Sequence, residues 1–152
     1  MKLTDSFVFK ADQETVWNVL MDIDAIAAAI PGVEKMTPVE GETGTWKTTA
    51  KLGVANISGT YNGTVKMSDL EPPTHYRLTV NGEGQASIIN GSALLTLTYQ
   101  PDGTTIVSYD ADAQLTGKLA SIGQRLIAPA AKMLAKMFFG NLAKQLPTKQ
   151  DN

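Results

Sequence analysis

The sequence predicts an α+β domain: a curved antiparallel sheet of seven strands, two short helices after the first strand, and one long helix at the C-terminal end. Three observations predict it. From Val33 to Thr116, short β-textured stretches follow one another with only hairpin punctuation between them. Ahead of them, residues 3–29 read as a strand and two short capped helices. Behind them, residues 117–146 repeat their apolar positions at helical spacing. With no helix between the later strands, neighbours pair antiparallel, and a block of strands closed by a terminal helix is the α+β order.

Residues 3–9 (LTDSFVF) alternate as a strand does. Asp12 is placed to N-cap a helix that turns Val16, Trp17 and Leu20 to one side, and Asp22 or Asp24 can cap a second helix through residues 25–29. Pro31-Gly32 stops it. The following strands are expected at residues 33–39, 45–54, 56–67, 75–80, 86–99 and 105–116, with turns at EGETG, GVA, DLEPPT, NGEG and PDG. Their alternation makes one face dry, with Trp46, Ala50, Leu52, Ile57, Tyr61, Val65, Tyr76, Leu78, Val80, Leu95 and Tyr109, and one face wet, with Lys47, Lys51, Asn62, Lys66, Arg77, Asp110 and Asp112. Glycines at 59, 63, 82, 84 and 91 supply the bulges, bends and close approaches that a curling sheet needs.

On a wheel of ~100° per residue, the last segment reads as one helix. Lys118, Arg125, Lys132 and Lys136 form a stripe, and Leu119, Ile122, Leu126, Ile127, Ala130, Met133, Leu134, Met137 and Phe138 lie opposite. Pro129 lacks an N–H, so a bend is expected near residues 125–128. Phe139 falls beside the basic stripe and is expected at the surface.

With 152 residues the chain is expected to form one domain over residues 1–147, leaving 148–152 as a short polar tail. The absence of cysteine excludes thiolate metal centres, iron–sulfur clusters and cysteine nucleophiles. No apolar run has the length of a signal peptide core or a membrane span, so a cytoplasmic location is expected. A net charge of −2 argues against a nucleic-acid partner, but the charge is uneven: residues 1–112 sum to −7 (7 basic, 14 acidic) and residues 113–149 to +6. Chemistry has little footing. His75 is the only histidine and stands alone, and Asp110 and Asp112 lie on the wet face. No catalytic residue, no metal site and no covalent cofactor are expected. The dry aromatics can be the wall of a pocket or ordinary core.

Several stretches resemble a known family. They are Val16-Trp17 with Leu20 and Asp22; Ile30-Pro31-Gly32-Val33-Glu34; Gly59 with Gly63; Gly82 with Gly84; and the run YDADAQLTGKLASIGQRLI from Tyr109 to Ile127. Their order resembles the helix-grip fold of the START/SRPBCC lipid-binding superfamily and, more specifically, the CoxG family of carbon monoxide dehydrogenase subunits. The resemblance implies a sheet wrapped on the terminal helix around an internal cavity. It also implies association with carbon monoxide dehydrogenase or a related molybdenum hydroxylase, and a link to the membrane or its quinone pool.

The expected cavity is then lined by Trp46, Leu52, Ile57, Tyr61, Tyr76, Leu78, Leu95, Tyr109, Leu126, Ala130, Met133, Leu134 and Met137, with a portal at Ile30, Pro31 and Gly32. Arg125, Lys132, Lys136 and Phe139 form the expected membrane or partner surface. The expected function is non-enzymatic binding of a hydrophobic small molecule, a quinone or another lipophile, by a cytoplasmic protein peripheral to the inner face of the membrane. The rivals are a recruitment module with a filled interior, and a small hydrolase or cyclase of the same superfamily.

Overall fold

The computed structural model describes residues 1–54 and 56–147, so the expected tail at 148–152 lies outside the described residues. The order is β1 (Lys2–Phe9), α1 (Gln13–Met21), α2 (Ile23–Ala29), β2 (Val33–Pro38), β3 (Thr45–Val54), β4 (Ile57–Glu71), β5 (His75–Gly84), β6 (Ser87–Tyr99), β7 (Thr105–Gly117), α3 (Lys118–Ile122) and α4 (Gln124–Ala143). The strands form one seven-stranded sheet, β1-β7-β6-β5-β4-β3-β2, with every neighbouring pair antiparallel. Six of the strands follow chain order by hairpins, and β1 alone pairs out of sequence, lying along β7 from Lys2↔Asp112 to Phe9↔Thr105.

The caps work as the sequence indicates. The Asp12 carboxylate accepts the Thr15 N–H at 2.8 Å, and hydrogen bonding to Thr15 holds its pKa below the usual value. Asp22 serves two helices. Its own N–H closes α1 on the Val19 carbonyl at 3.2 Å, and its Oδ1 accepts from Asp24 and Ala25 N–H at 3.0 and 3.3 Å to open α2. Past α2, Gly32 has φ +82° and its carbonyl accepts the Lys51 N–H at 3.0 Å. A Cβ there would lie 1.9 Å from the Lys51 carbonyl oxygen, so glycine is what lets the turn press against β3.

Two turns differ from expectation. The NGEG stretch is not a turn but the end of β5, and the reversal is made by Gln85 and Ala86, both at positive φ. Its glycines serve close approach instead: a Cβ on Gly84 would meet the Thr60 carbonyl oxygen at 2.2 Å. β4 runs four residues further than expected, to Glu71, through an irregularity between Ser68 and Glu71 where Asp69 has φ 54°.

The terminal helix is two helices. It breaks at Gly123 (φ +98°, ψ +149°), not at residues 125–128, and Pro129 sits inside α4 without ending it. Pro129 forfeits the bond to the Arg125 carbonyl, and both residues lie on the exposed side of α4, where a missing helix bond is least costly. α3 is held to the sheet by Lys118 N–H to the Ala86 carbonyl at 3.0 Å and Leu119 N–H to Ser87 Oγ at 2.9 Å.

The break changes which face of α4 is buried. Leu119 and Ile122 belong to α3, and carrying their phase across Gly123 misaligns the wheel. In α4 the inward side centres on Ile127, Leu134, Phe138 and Leu142, while Leu126, Met133 and Met137 are 55%, 53% and 40% exposed. Phe139, expected at the surface, is 5% exposed. It stacks on Phe7 and Tyr109 (6.1 and 6.0 Å between ring centroids) and meets Phe9 and Phe138 edge-on (6.2 and 5.1 Å).

Buried side chains form two clusters. The larger joins α1, α2 and the Phe139 end of α4 to β1, β4, β5, β6 and β7; the smaller gathers Val54, Ile57, Tyr61, Leu119, Ile127 and Ala130. They do not merge.

Candidate functional site

Where the two clusters fail to meet, under α4, lies a cavity of about 320 Å³. Its floor is the dry face of β3 to β6: Ala50 and Leu52, then Tyr61, Gly63, Val65 and Met67, then Tyr76, Leu78, Val80 and Gly82, then Ile89. Leu134, Ala135 and Phe138 of α4 form the roof, and Ile26, Ile30, Pro31 and Val33 close the end nearest α2. Val80, though it points inward, is 38% exposed, so the space opens to solvent along its β5 side. It sits at the low end of ligand pockets, which span roughly 300–1,000 Å³.

Polar groups in this wall are few and mostly engaged. Thr48 Oγ1 donates to the Lys35 carbonyl at 3.1 Å, and Asn62 turns its amide to the outer face, where Oδ1 accepts from Thr49 Oγ1 at 2.7 Å. Tyr61 Oη donates to the Ser58 carbonyl at 3.2 Å. Tyr76 stands edge-on to Trp17, with ring centroids 5.5 Å apart. Burial pushes the phenols of Tyr61 and Tyr76 above their usual range, so both are protonated donors near neutrality. Such a wall can solvate hydrocarbon or a fused ring, and offers a hydrogen bond only from a phenol.

The structure brings Leu52, Tyr61, Tyr76, Leu78 and Leu134 to the cavity wall, with Ile30 and Pro31 at its end. The other expected positions go elsewhere. Trp46, Leu95 and Tyr109 pack in the larger cluster, and Ile57 and Ala130 in the smaller. Tyr109 Oη is buried without a hydrogen-bond partner, and burial together with the Asp5 carboxylate raises its pKa. Leu126, Met133 and Met137 face outward because the break at Gly123 resets the helix phase. Gly32 lies on the far side of the sheet, in a shallow polar hollow of about 670 Å³ rimmed by Glu34, Lys35, Lys47, Lys51 and Glu83, all exposed. Arg125, Lys132 and Lys136 are exposed as expected; Phe139 does not join them.

The apolar wall residues absent from the expected set are Ile26, Val33, Ala50, Gly63, Val65, Met67, Val80, Gly82, Ile89, Ala135 and Phe138, of which Ala50, Val65 and Val80 were expected on the dry face without being assigned to the cavity. Strand parity was the signal for Gly82, which continues the inward series Leu78, Val80. Nothing local marks Ile26, because only the α2–α4 packing turns it toward the gap.

His75 is half-buried on the outer face beside Thr74 Oγ1, 3.3 Å from its Nδ1. No cluster of three potential metal ligands occurs among the described residues.

A family model for CoxG, described as a subunit of carbon monoxide dehydrogenase, matches residues 6–147. The chain belongs to that family. A crystal structure of a conserved protein from Geobacillus kaustophilus is 32% identical with a TM-score of 0.91, covering 96% of this CoxG-family chain and 95% of that one. A START superfamily protein from Mycobacterium smegmatis has a TM-score of 0.71 at 8% identity, covering 95% and 96%. The Zhui aromatase/cyclase from Streptomyces sp. R1128 has a TM-score of 0.65 at 13% identity, covering 96% and 93%. These last two likenesses are of fold, the seven-stranded helix-grip of the START/SRPBCC superfamily. No curated protein matches the CoxG-family chain by sequence.

Proposed function

We propose that this chain is a carrier for a membrane lipophile, best read as a quinone, and that it does not act on its ligand chemically. The observation that carries the reading is the open, nearly polar-free cavity between two separate core clusters. Apolar side chains left facing an unfilled space forgo packing contacts there, which costs stability. A lipophile that fills it recovers that cost and gains ~25 cal/mol per Å² of apolar surface removed from water.

A quinone fits this wall in two ways. Its ring and first prenyl units match a space at the small end of the ligand range, with the rest of a long tail lying outside. Its carbonyl requires a donor. Tyr61 already donates to Ser58, which leaves the Tyr76 phenol for that role. The family's association with carbon monoxide dehydrogenase supplies the proposed redox partner, that enzyme or a related molybdenum hydroxylase, and the bilayer supplies the quinone. No helix among the described residues is long and apolar enough to cross a membrane, so contact with the bilayer on this reading is peripheral.

The test is extraction. Protein purified from a membrane-containing extract is expected to release a lipophile into organic solvent, with quinone enriched over bulk phospholipid by mass spectrometry. A short-chain quinone is expected to raise the melting temperature, and Tyr76→Phe to weaken the quinone while sparing an alkane of similar size. No extractable lipophile and no thermal shift would leave recruitment of the enzyme as the better account, and turnover of an added quinone or ester would favour the hydrolase or cyclase reading.

A further inference from the structure

Leu126, Met133 and Met137 form an exposed row on α4 that the cavity does not explain. Each is preceded by a cation, Arg125, Lys132 and Lys136, so two rows run side by side along the outward face, ~100° apart on the wheel. The rows have definite sides. Phe139 projects close to the cationic row and packs on Phe7 of β1, so the cations flank the β1 side. The apolar row lies on the opposite side, next to Leu134, which packs in the smaller cluster with Leu52 and lines the cavity. The exposed apolar row is thus the neighbour, on α4, of the side that roofs the cavity.

We infer that this face of α4 docks onto an anionic lipid bilayer, with the Leu126–Met133–Met137 row entering the headgroup boundary and the cations meeting lipid phosphates. The inference rests on the carrier reading and adds to it the surface by which the lipophile is reached. Charge selects the partner. From Ala113 to Pro147 there are five cations and no carboxylate, against an otherwise acidic body, and among the described residues no cation of α4 is in an ion pair. Unbranched methionines adapt to a fluid partner better than to a fixed protein groove, and an apolar row edged by Lys and Arg is the pattern of helices that lie in a membrane interface. Docked this way, the bilayer lies against the helix that roofs the cavity, which shortens the path of a lipophile from membrane to cavity.

The experiment is flotation of the full chain with large vesicles of phosphatidylcholine, alone or with a third phosphatidylglycerol, at 0.05 and 0.5 M salt. Binding is expected on the anionic vesicles at low salt, falling about tenfold or more at high salt and on neutral vesicles. Lys132→Glu with Lys136→Glu, and separately Leu126→Ser with Met133→Ser and Met137→Ser, are each expected to lower it by at least about tenfold. Both variants are expected to take up a short-chain quinone from vesicle-free solution as the wild type does, which also reports that they fold. Gly82→Ile, which fills the cavity, is expected to dock normally and take up nothing. Loss of uptake in every protein with docking intact would overturn the carrier reading alone. Undiminished flotation of the triple serine variant would overturn the docking inference, as would a wild type that ignores anionic vesicles. So would sedimentation showing that the same row instead pairs two copies of the chain.

Discussion

Gly63 and Gly82 are cross-strand partners in β4 and β5 on the cavity floor, yet the two positions differ in what they accept. A Cβ on Gly63 would lie 2.0 Å from the Asn81 carbonyl oxygen, whereas one on Gly82 finds nothing nearer than the Asn62 carbonyl oxygen at 3.7 Å. Gly63→Ala is therefore expected to destabilise by ~1–3 kcal/mol, since backbone must shift to admit the methyl. Gly82→Ile is expected to keep the melting temperature within a few degrees and to lower lipophile uptake at least about tenfold, its side chain entering the void. Urea unfolding beside ligand titration separates them. Filling from the helix at Ala130 would not serve, because Ala130 is packed in the smaller cluster and a ring there would overfill it.

Adjacent phenylalanines on α4 are expected to behave unlike each other. Phe139→Ala removes a ring held among Phe7, Phe9 and Tyr109 and is expected to cost ~3–5 kcal/mol. Phe138→Ala removes a half-buried ring from the cavity roof. It is expected to cost less and to shift preference toward bulkier lipophiles. Unfolding free energies and a ligand size series measure both effects.

Alkali is expected to unfold the protein through its inward phenols. Burial raises the pKa of Tyr76, and of Tyr61 and Tyr109 in the same direction, above the unfolded value of ~10. A raised folded pKa means the native state binds more protons in that window, so the stabilisation is complete below pH ~10 and declines as pH rises past it. Stability measured from pH 8 to 11 is expected to fall less steeply in Tyr76→Phe than in the wild type. Phenolate absorbance is expected to appear together with the loss of structure.

Asp22→Ala is expected to cost ~0.5–2 kcal/mol, because it removes the acceptor for the Asp24 and Ala25 N–H groups. The effect should reach the site. α2 carries Ile26 and leads to Ile30 at the cavity end, so fraying its first turn is expected to weaken ligand binding more than the same loss at Asp12, which caps α1. Comparing the two alanine variants in one binding assay checks this.

The strands, the antiparallel pairing of successive ones, the caps and the two-faced sheet were legible in the sequence because each depends on local pattern: alternation for Tyr61 and Val65, an acidic cap for Asp12 and Asp22. The pairing of β1 with β7 was not, because it joins Lys2 to Asp112. The cavity wall was legible only in part. Positions on strands, such as Leu52, Tyr76 and Leu78, follow parity, and parity survives small errors in strand ends. Positions on the terminal helices depend on phase, and one glycine with φ +98° at residue 123 resets it. That is why Phe139 and Met133 exchange the sides expected of them, although their spacing within α4 is regular. Gly82 and Gly84 read as a turn because glycine signals reversal and close approach alike, and only the position of Thr60 opposite distinguishes the two.

The pairing of β1 with β7 bears on how the sheet is assembled. The Met1 amino group donates to the Ala113 carbonyl at 2.9 Å across 112 residues, and among the described residues β1 has no strand partner other than β7. A ribosome delivers β1 before the other six strands and its partner after them, while the hairpins between can form as they emerge. The free edge that later receives β1 thus exists only from the moment β7 appears, and Phe7 and Phe9 have no neighbouring strand to hold them in place before then. Closure of the sheet is therefore a late event that joins β1 to β7, and a nascent chain halted before Thr105 would carry β1 unpaired.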